Sequence, residues 1–298
     1  MRSSIPPRPS IPPNRPYRRH PEALKQVYDV WSGAVDMTLC IGALALDASA
    51  PCIVLAFDYK IAGDEFGSES EYKFRVLSPQ LVAMAADSVS RAKELSLLYR
   101  GYLEKTILNE VDVVNQLQEP VATFKRRLAN SYIGRRLGLS YDEVWAKRDQ
   151  WQDYLDVIEK HPLRVQMVIA GFLDRTPVLC ELRDKEVEWR TNTSLIGSGA
   201  YTAEPALHAR RHTPNTPLPQ ALYNVYEAKK AGEGSPFVGE MTRMFVLRPG
   251  RKDPQKIQIQ FVTPQGENWL AGLYAEYGPK PMVQIPQLPK DALQVGRT

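Results

Sequence analysis

The sequence predicts an α+β protein in which two antiparallel sheets stack and helices cover both outer faces, a four-layer αββα arrangement. Three observations lead there. Apolar runs of strand length occur in pairs joined by short turns. Helix-period segments separate these pairs, so the order is strands, helices, strands, helices, strands. Grouped strands and grouped helices indicate α+β rather than an alternating parallel sheet. No internal repeat and no second core are visible, so one domain is expected over residues 37–275.

Leu24, Val27 and Trp31 fall on one side of a short helix over residues 20–31. Residues 38–46 and 52–57 are apolar runs around a turn at 47–51, which reads as a hairpin. Residues 73–77 and 81–85 repeat the pattern around Ser78 and Pro79. Ala92, Leu95, Tyr99 and Tyr102 share a helical face, as do Val121, Phe124, Leu128 and Tyr132. Ser140 followed by Glu143 is a capping box, opening a helix that turns Val144, Trp151, Leu155 and Ile158 inward. Strands return at 165–172, 178–182, 187–190 and 194–196, and end at Gly197, Ser198 and Gly199. Helices over 203–211 and 218–231 follow, the second with Leu222, Val225 and Tyr226 inward. Residues 244–247 and 257–262 form a last hairpin, and Ile257, Ile259 and Phe261 alternate with Gln258 and Gln260. Residues 276–298 are proline-rich and expected to be an irregular tail.

Composition narrows the function classes. The chain has 298 residues, of which 43% are hydrophobic and 24% charged, as a globular protein needs. A net charge of +4 gives no strong attraction to nucleic acid or to an anionic membrane. No apolar run approaches the roughly 20 residues of a membrane helix. Cys40, Cys52 and Cys180 have no CxxC spacing and form no disulfide framework, so a reducing, cytoplasmic setting is expected. Cys40 and Cys52 lie in apolar runs and read as small core residues. Residues 1–36 begin with a stretch rich in proline and arginine and empty of acidic residues. That composition reads as a disordered leader or a mis-assigned translation start; a proline-rich ligand for a partner groove is a further reading.

Three residues carry the chemistry. Thr38 opens the first strand, Asp58 closes the second and Lys73 opens the third. Antiparallel pairing can bring strand ends to one sheet edge. A threonine hydroxyl is a nucleophile when its own free α-amine acts as base. A lysine charge favours the neutral amine and the deprotonated hydroxyl. The aspartate would orient that lysine. Here the Thr38 amine is bonded to Met37, so its release is required.

These stretches resemble a known family. MTLCIGALAL, CIVLAFDYKIAGDEF, YKFRVL, LVAMAADSVSRAKEL, RVQMVIAGFLDRTPVLCEL, SLIGSGA and EAKKAGEGSPFVGEMTRMFVL occur in family order from Met37 to Leu247. The chain is similar to proteasome β-type subunits and their bacterial relatives, including the Anbu-like proteins. The resemblance implies the N-terminal-nucleophile hydrolase fold, with Thr38 as nucleophile and Asp58, Lys73 and Ser198 as its partners. It implies that the Ala86 backbone N–H serves the oxyanion, where relatives usually carry glycine. It also implies that Ile61 and Met84 line a substrate pocket with Arg75 near its base. Relatives form rings or open spirals that cut peptides or unfolded proteins, some beside an ATPase unfoldase. No cofactor and no metal is implied. The family's Asp-x-x-Ser is not kept; the region reads Gly232 to Gly239, with Glu233 and Ser235 as substitutes only if the loop shifts.

Two weaker motifs are set aside. Gly232, Glu233 and Gly234 lack the Gly-Lys-Ser/Thr of a phosphate loop. His208 and His212, four apart, have no HExxH pattern and read as surface histidines. Two functional readings remain open. One is a threonine-type endopeptidase active after loss of residues 1–37. The other is a catalytically inactive assembly or scaffold protein of the same fold.

Overall fold

The computed structural model describes residues 38–58, 73–235, 238–251, 253–279, 289 and 291–295. Residues 1–37, with the expected leader and first helix, lie outside them. Among the described residues the chain is mixed α+β, with two antiparallel sheets and seven helices.

The first strands are β1 (Cys40–Asp47) and β2 (Ala50–Asp58). They pair antiparallel from Cys40↔Phe57 to Asp47↔Ala50 across a tight turn, where Ala48 takes φ 58°. β3 (Phe74–Val76) and β4 (Leu81–Asp87) form the second expected hairpin. Helices α1 (Val89–Leu103) and α2 (Val113–Leu137) follow. Tyr99 of α1 is fully buried and donates its hydroxyl to the Leu117 carbonyl of α2 at 2.9 Å. α2 ends at Gly138, whose left-handed φ of 66° suits a residue without Cβ.

The capping box at Ser140 forms as expected, with both reciprocal hydrogen bonds present. The helix it opens does not run through to Lys160. It divides into α3 (Tyr141–Trp145) and α4 (Arg148–Lys160), and Trp151 has non-helical angles. β5 (Val165–Leu173), β6 (Thr176–Arg183), β7 (Glu186–Trp189) and β8 (Thr193–Ile196) come next. Then come α5 (Ala200–Ala209), α6 (Leu218–Gly232), β9 (Thr242–Pro249) and β10 (Ile257–Val262).

Two later elements depart from the sequence-based expectation. α7 (Pro264–Tyr277) is a helix where none is expected. Its signals are local: Thr263 caps Gly266 N–H, Pro264 opens the helix, and Leu270 and Leu273 turn inward. The tail over 276–298 is not wholly irregular, because β11 (Leu293–Val295) adds to the edge of β10. Its backbone finds partners in an unfilled sheet edge, which no local pattern in three residues can announce.

One sheet has the order β11-β10-β9-β2-β1-β8 and the other β3-β4-β5-β6-β7. A single buried cluster draws on both: Cys40, Leu55 and Phe57 with Val82, Met84 and Val168. Gly42 lies in the same register, and a Cβ there would stand 2.9 Å from Leu179 Cδ1 of the other sheet. A second cluster joins the first sheet to α5, α6 and α7, and a third joins the second sheet to α1 and α2. The inward and outward alternation of β4 shows how: Leu81, Ala83 and Ala85 meet helices, whereas Val82, Met84 and Ala86 meet the other sheet. All three cysteines are free and buried, and burial pushes the Cys52 and Cys180 thiols up to about 12. No helix among the described residues is long and apolar enough to cross a membrane.

His212 corrects a surface assignment. Of the two, His208 is on the surface, beside Glu204. His212 is 5% exposed and its Nε2–H donates to the Leu44 carbonyl at 2.9 Å, tying the α5–α6 connection to β1. Nδ1 then faces the buried Asn224 amide at 3.4 Å as acceptor. Burial lowers the His212 pKa, more than its backbone hydrogen bond raises it. The folded chain therefore holds fewer protons than the unfolded one, whose histidine titrates near its ordinary value of about 6.5. This contribution to stability is full above about pH 6.5 and is lost as pH falls below it. The urea midpoint should drop between about pH 7.5 and about pH 5.5, and His212→Gln should shrink that drop. An unchanged drop in the variant would assign the effect to other groups.

Candidate functional site

The site forms where β1 begins and β2 ends. Thr38 precedes β1 and is 1% exposed; Asp58 closes β2 and is fully buried. Their proximity follows from hairpin register, since Cys40↔Phe57 pairing leaves Leu39 beside Asp58. The Asp58 N–H donates to the Leu39 carbonyl at 3.1 Å. In return, the Leu39 N–H donates to Asp58 Oδ1 at 2.8 Å. The Thr38 hydroxyl donates to the same oxygen.

Lys73 arrives from the other sheet, as the residue before β3. Its Nζ donates to the Asp58 carbonyl at 3.0 Å and to Asp58 Oδ1 at 3.3 Å. Its side chain is 11% exposed against 0% for Asp58, so the pair is almost dry. Asp58 Oδ2 is held separately, by the Gly239 N–H at 3.0 Å. The three residues singled out in the sequence are thus in contact through one carboxylate.

Behind Thr38 lies the glycine turn. Gly197 has φ 91°, and a Cβ there would fall 2.1 Å from the Thr38 carbonyl oxygen. Only glycine permits that approach. The Gly199 N–H points to the same carbonyl at 3.5 Å, and the Gly197 N–H donates to Gln166 Oε1 at 3.0 Å. Gln166 in turn hydrogen-bonds Asp87, whose φ is 70° and whose carboxyl burial pushes up. This turn fixes Thr38 through backbone contacts. Ser198 at its tip is exposed and does not join the Asp58 contacts found among the described residues.

Ala86 is buried in β4, and its φ is not positive, so alanine fits there without strain. The end of β4 abuts β1, with the Cys40 thiol 3.6 Å from the Ala85 carbonyl. Met84 is fully buried between the sheets with Phe57 and Cys40, not in an open pocket. Arg75 pairs with Ala83, and Phe74 with Met84. Paired residues share a face and neighbours alternate, so Arg75 and Met84 stand on opposite faces of their sheet and do not share a pocket. Ile61 lies outside the described residues. Glu233 turns to Lys229 and Lys230 and Ser235 closes a turn onto Gly232, and neither is among the Asp58 contacts found among the described residues. No group of three or more His, Cys, Asp or Glu among the described residues could hold a metal.

Sequence reasoning misses Gly239 and Lys229. Lys229 is fully buried on α6, where Nζ pairs with Glu233 and donates to the carbonyls of Gly239 at 2.6 Å and Glu240 at 2.9 Å. A signal exists. Leu222, Val225, Tyr226 and Lys229 are spaced as one inward stripe, so the lysine sits at a core position.

No protein-family model and no curated protein matches this chain.

Asp58 accepts two backbone N–H groups, a hydroxyl and an ammonium. Asp58→Asn would replace one acceptor oxygen by a donor and leave Lys73 without its counter-charge. The expected loss is about 3 kcal/mol of stability, in the range for breaking a buried pair. Urea unfolding measures it; a loss below about 1 kcal/mol would show that Asp58 is not what joins these strand ends.

Proposed function

We propose that this chain is a threonine-type peptidase of the N-terminal-nucleophile kind, resembling proteasome β-type subunits, with a four-layer αββα fold. The observation that carries the reading is the single buried Asp58 carboxylate that meets both the Thr38 hydroxyl and the Lys73 ammonium. The two facing sheets and the helix-covered outer faces are consistent with the fold.

In this reading residues 1–37 are lost and Thr38 begins the chain. Its α-amine, with an ordinary pKa of about 7.7–8.0, takes the hydroxyl proton. Oγ1 attacks the peptide carbonyl and the oxyanion forms near the Ala86 N–H. Collapse breaks the C–N bond, and the leaving amine receives the proton. Water then gives a proton to the α-amine and attacks the ester carbonyl, which releases the acid and restores Thr38. Lys73 favours the deprotonated hydroxyl by charge, and Asp58 orients both. The substrate would be peptide or unfolded protein. Self-association into a ring or spiral, a partner ATPase and a cytoplasmic setting belong to the same proposal.

One observation favours a second reading, an inactive assembly or scaffold protein. Thr38 is 1% exposed in the intact chain, and a nucleophile must be reached by its substrate. Two chains separate the readings, one starting at Met37 and one at Met1. Intact mass and labelling with a threonine-reactive epoxyketone are measured on both. The short chain should start at Thr38 and label there; the long one should label only after losing residues 1–37. A short chain that exposes Thr38 yet never labels or cleaves sinks the peptidase reading and leaves the scaffold.

In the active form, Lys73→Ala should lower turnover by at least about 100-fold with the fold retained, as expected for loss of positioned base catalysis. Turnover within a few-fold of the parent would reduce Lys73 to a structural partner of Asp58.

A further inference from the structure

We propose that Lys229 is a positioning residue for the Asp58 centre, holding the backbone at Gly239 and Glu240 so that the Gly239 N–H meets the carboxylate. The catalytic consequence rests on the peptidase reading above; the clamp itself does not.

The lysine is in an unfavourable place for a charge. Its side chain is fully buried on the inward stripe of α6, among Leu222, Val225 and Tyr226. Removing an ammonium from water costs several kcal/mol, and an apolar residue would pack there at lower cost. All three ammonium protons are used instead: one toward Glu233, one to the Gly239 carbonyl and one to the Glu240 carbonyl. These last two acceptors lie in the segment leading into β9, which no regular ladder holds.

Gly239 is thereby pinned from both ends. Its carbonyl accepts from Lys229 and its N–H donates to Asp58 Oδ2 at 3.0 Å. Opposite charges pull on opposite ends of one residue, which aligns the peptide groups between them. Burial lowers the Lys229 pKa; Glu233 is the main group opposing that shift, Lys230 adds to it, and Asp58 also favours the charged form. Because Oδ2 is taken by Gly239, Oδ1 is left to face Thr38, Leu39 and Lys73. Loss of the clamp frees the loop, then Oδ2, and then the orientation of the carboxylate. Substrate does not touch Lys229, so turnover changes and binding does not.

The test uses Lys229→Met in the full chain and in its Thr38-terminated form. Amide exchange at Gly239, followed by NMR in the full chain, should accelerate by at least about tenfold, while Val246 and Leu247 within β9 keep their protection. In the Thr38-terminated form kcat should fall by about 10–100-fold with KM within about twofold, and Lys229→Arg should recover part of the loss. Unchanged exchange at Gly239 overturns the clamp, whether or not the chain is an enzyme. Faster exchange with unchanged kcat overturns the catalytic consequence. A parent that never labels or cleaves counts against the peptidase reading alone, and the exchange measurement still decides the clamp. If Lys229→Met does not fold, Lys229→Gln, which keeps donors but no charge, takes its place in both measurements.

Discussion

A buried carboxylate, closed in by hydrogen-bond donors, is the constraint on which this structure depends. Asp58 is fully buried, and an uncompensated charge there would cost several kcal/mol. Its compensation comes from distant parts of the chain. Leu39 and Thr38 belong to the start of β1, Lys73 to the approach to β3, and Gly239 to the approach to β9. Each must arrive within hydrogen-bond reach for the others to be worth forming. The carboxylate therefore gathers strand ends from both sheets, where ladder hydrogen bonds have run out.

Other buried charges are managed the same way. Arg210 of the α5–α6 connection makes a two-pronged contact with Glu227 of α6, at 2.6 and 2.9 Å. Glu181 on β6 accepts from Arg183 and Arg190, and from Ser194 on β8 of the other sheet. These networks pin helix to helix and sheet to sheet. The Asp58 network differs in where it lies, at the start of β1 and the approaches to β3 and β9, and in having an ammonium as its cation. A hydroxyl fixed beside a carboxylate and an ammonium is an arrangement suited to proton transfer and nucleophilic attack; the Glu181 network also holds a hydroxyl, that of Ser194, but beside guanidinium groups.

Much of the centre is legible in the amino-acid sequence. The run from Met37 to Leu46 and the turn after it set a hairpin register, and that register puts Thr38 and Asp58 at adjoining strand ends. Gly197 and Gly199 mark a tight turn, which proves to pack against the Thr38 carbonyl. What is not legible comes from long range. The family resemblance implies that Met84 lines a pocket, but the alternation of β4 sends it into the cluster shared by both sheets, away from the face of Arg75. β11 exists because β10 offers an open edge, and its three residues carry no pattern of their own.

The sequence by itself determined the strand and helix groups up to β10, the buried faces of α1 and α2, the capping box at Ser140 and the Thr38–Asp58 pairing, but not α7, β11 or the exposure of Phe261. The features it determined depend on neighbours within one hairpin or one helix, where period and turn chemistry act. Tertiary structure alone decided that Lys73 crosses from the second sheet to Asp58, that Gly239 supplies the opposing N–H, and that Lys229 is buried behind it. The reason is physical. A lysine in water and a lysine in a core have the same local sequence signature, and only the acceptors brought by distant segments make burial of its charge affordable.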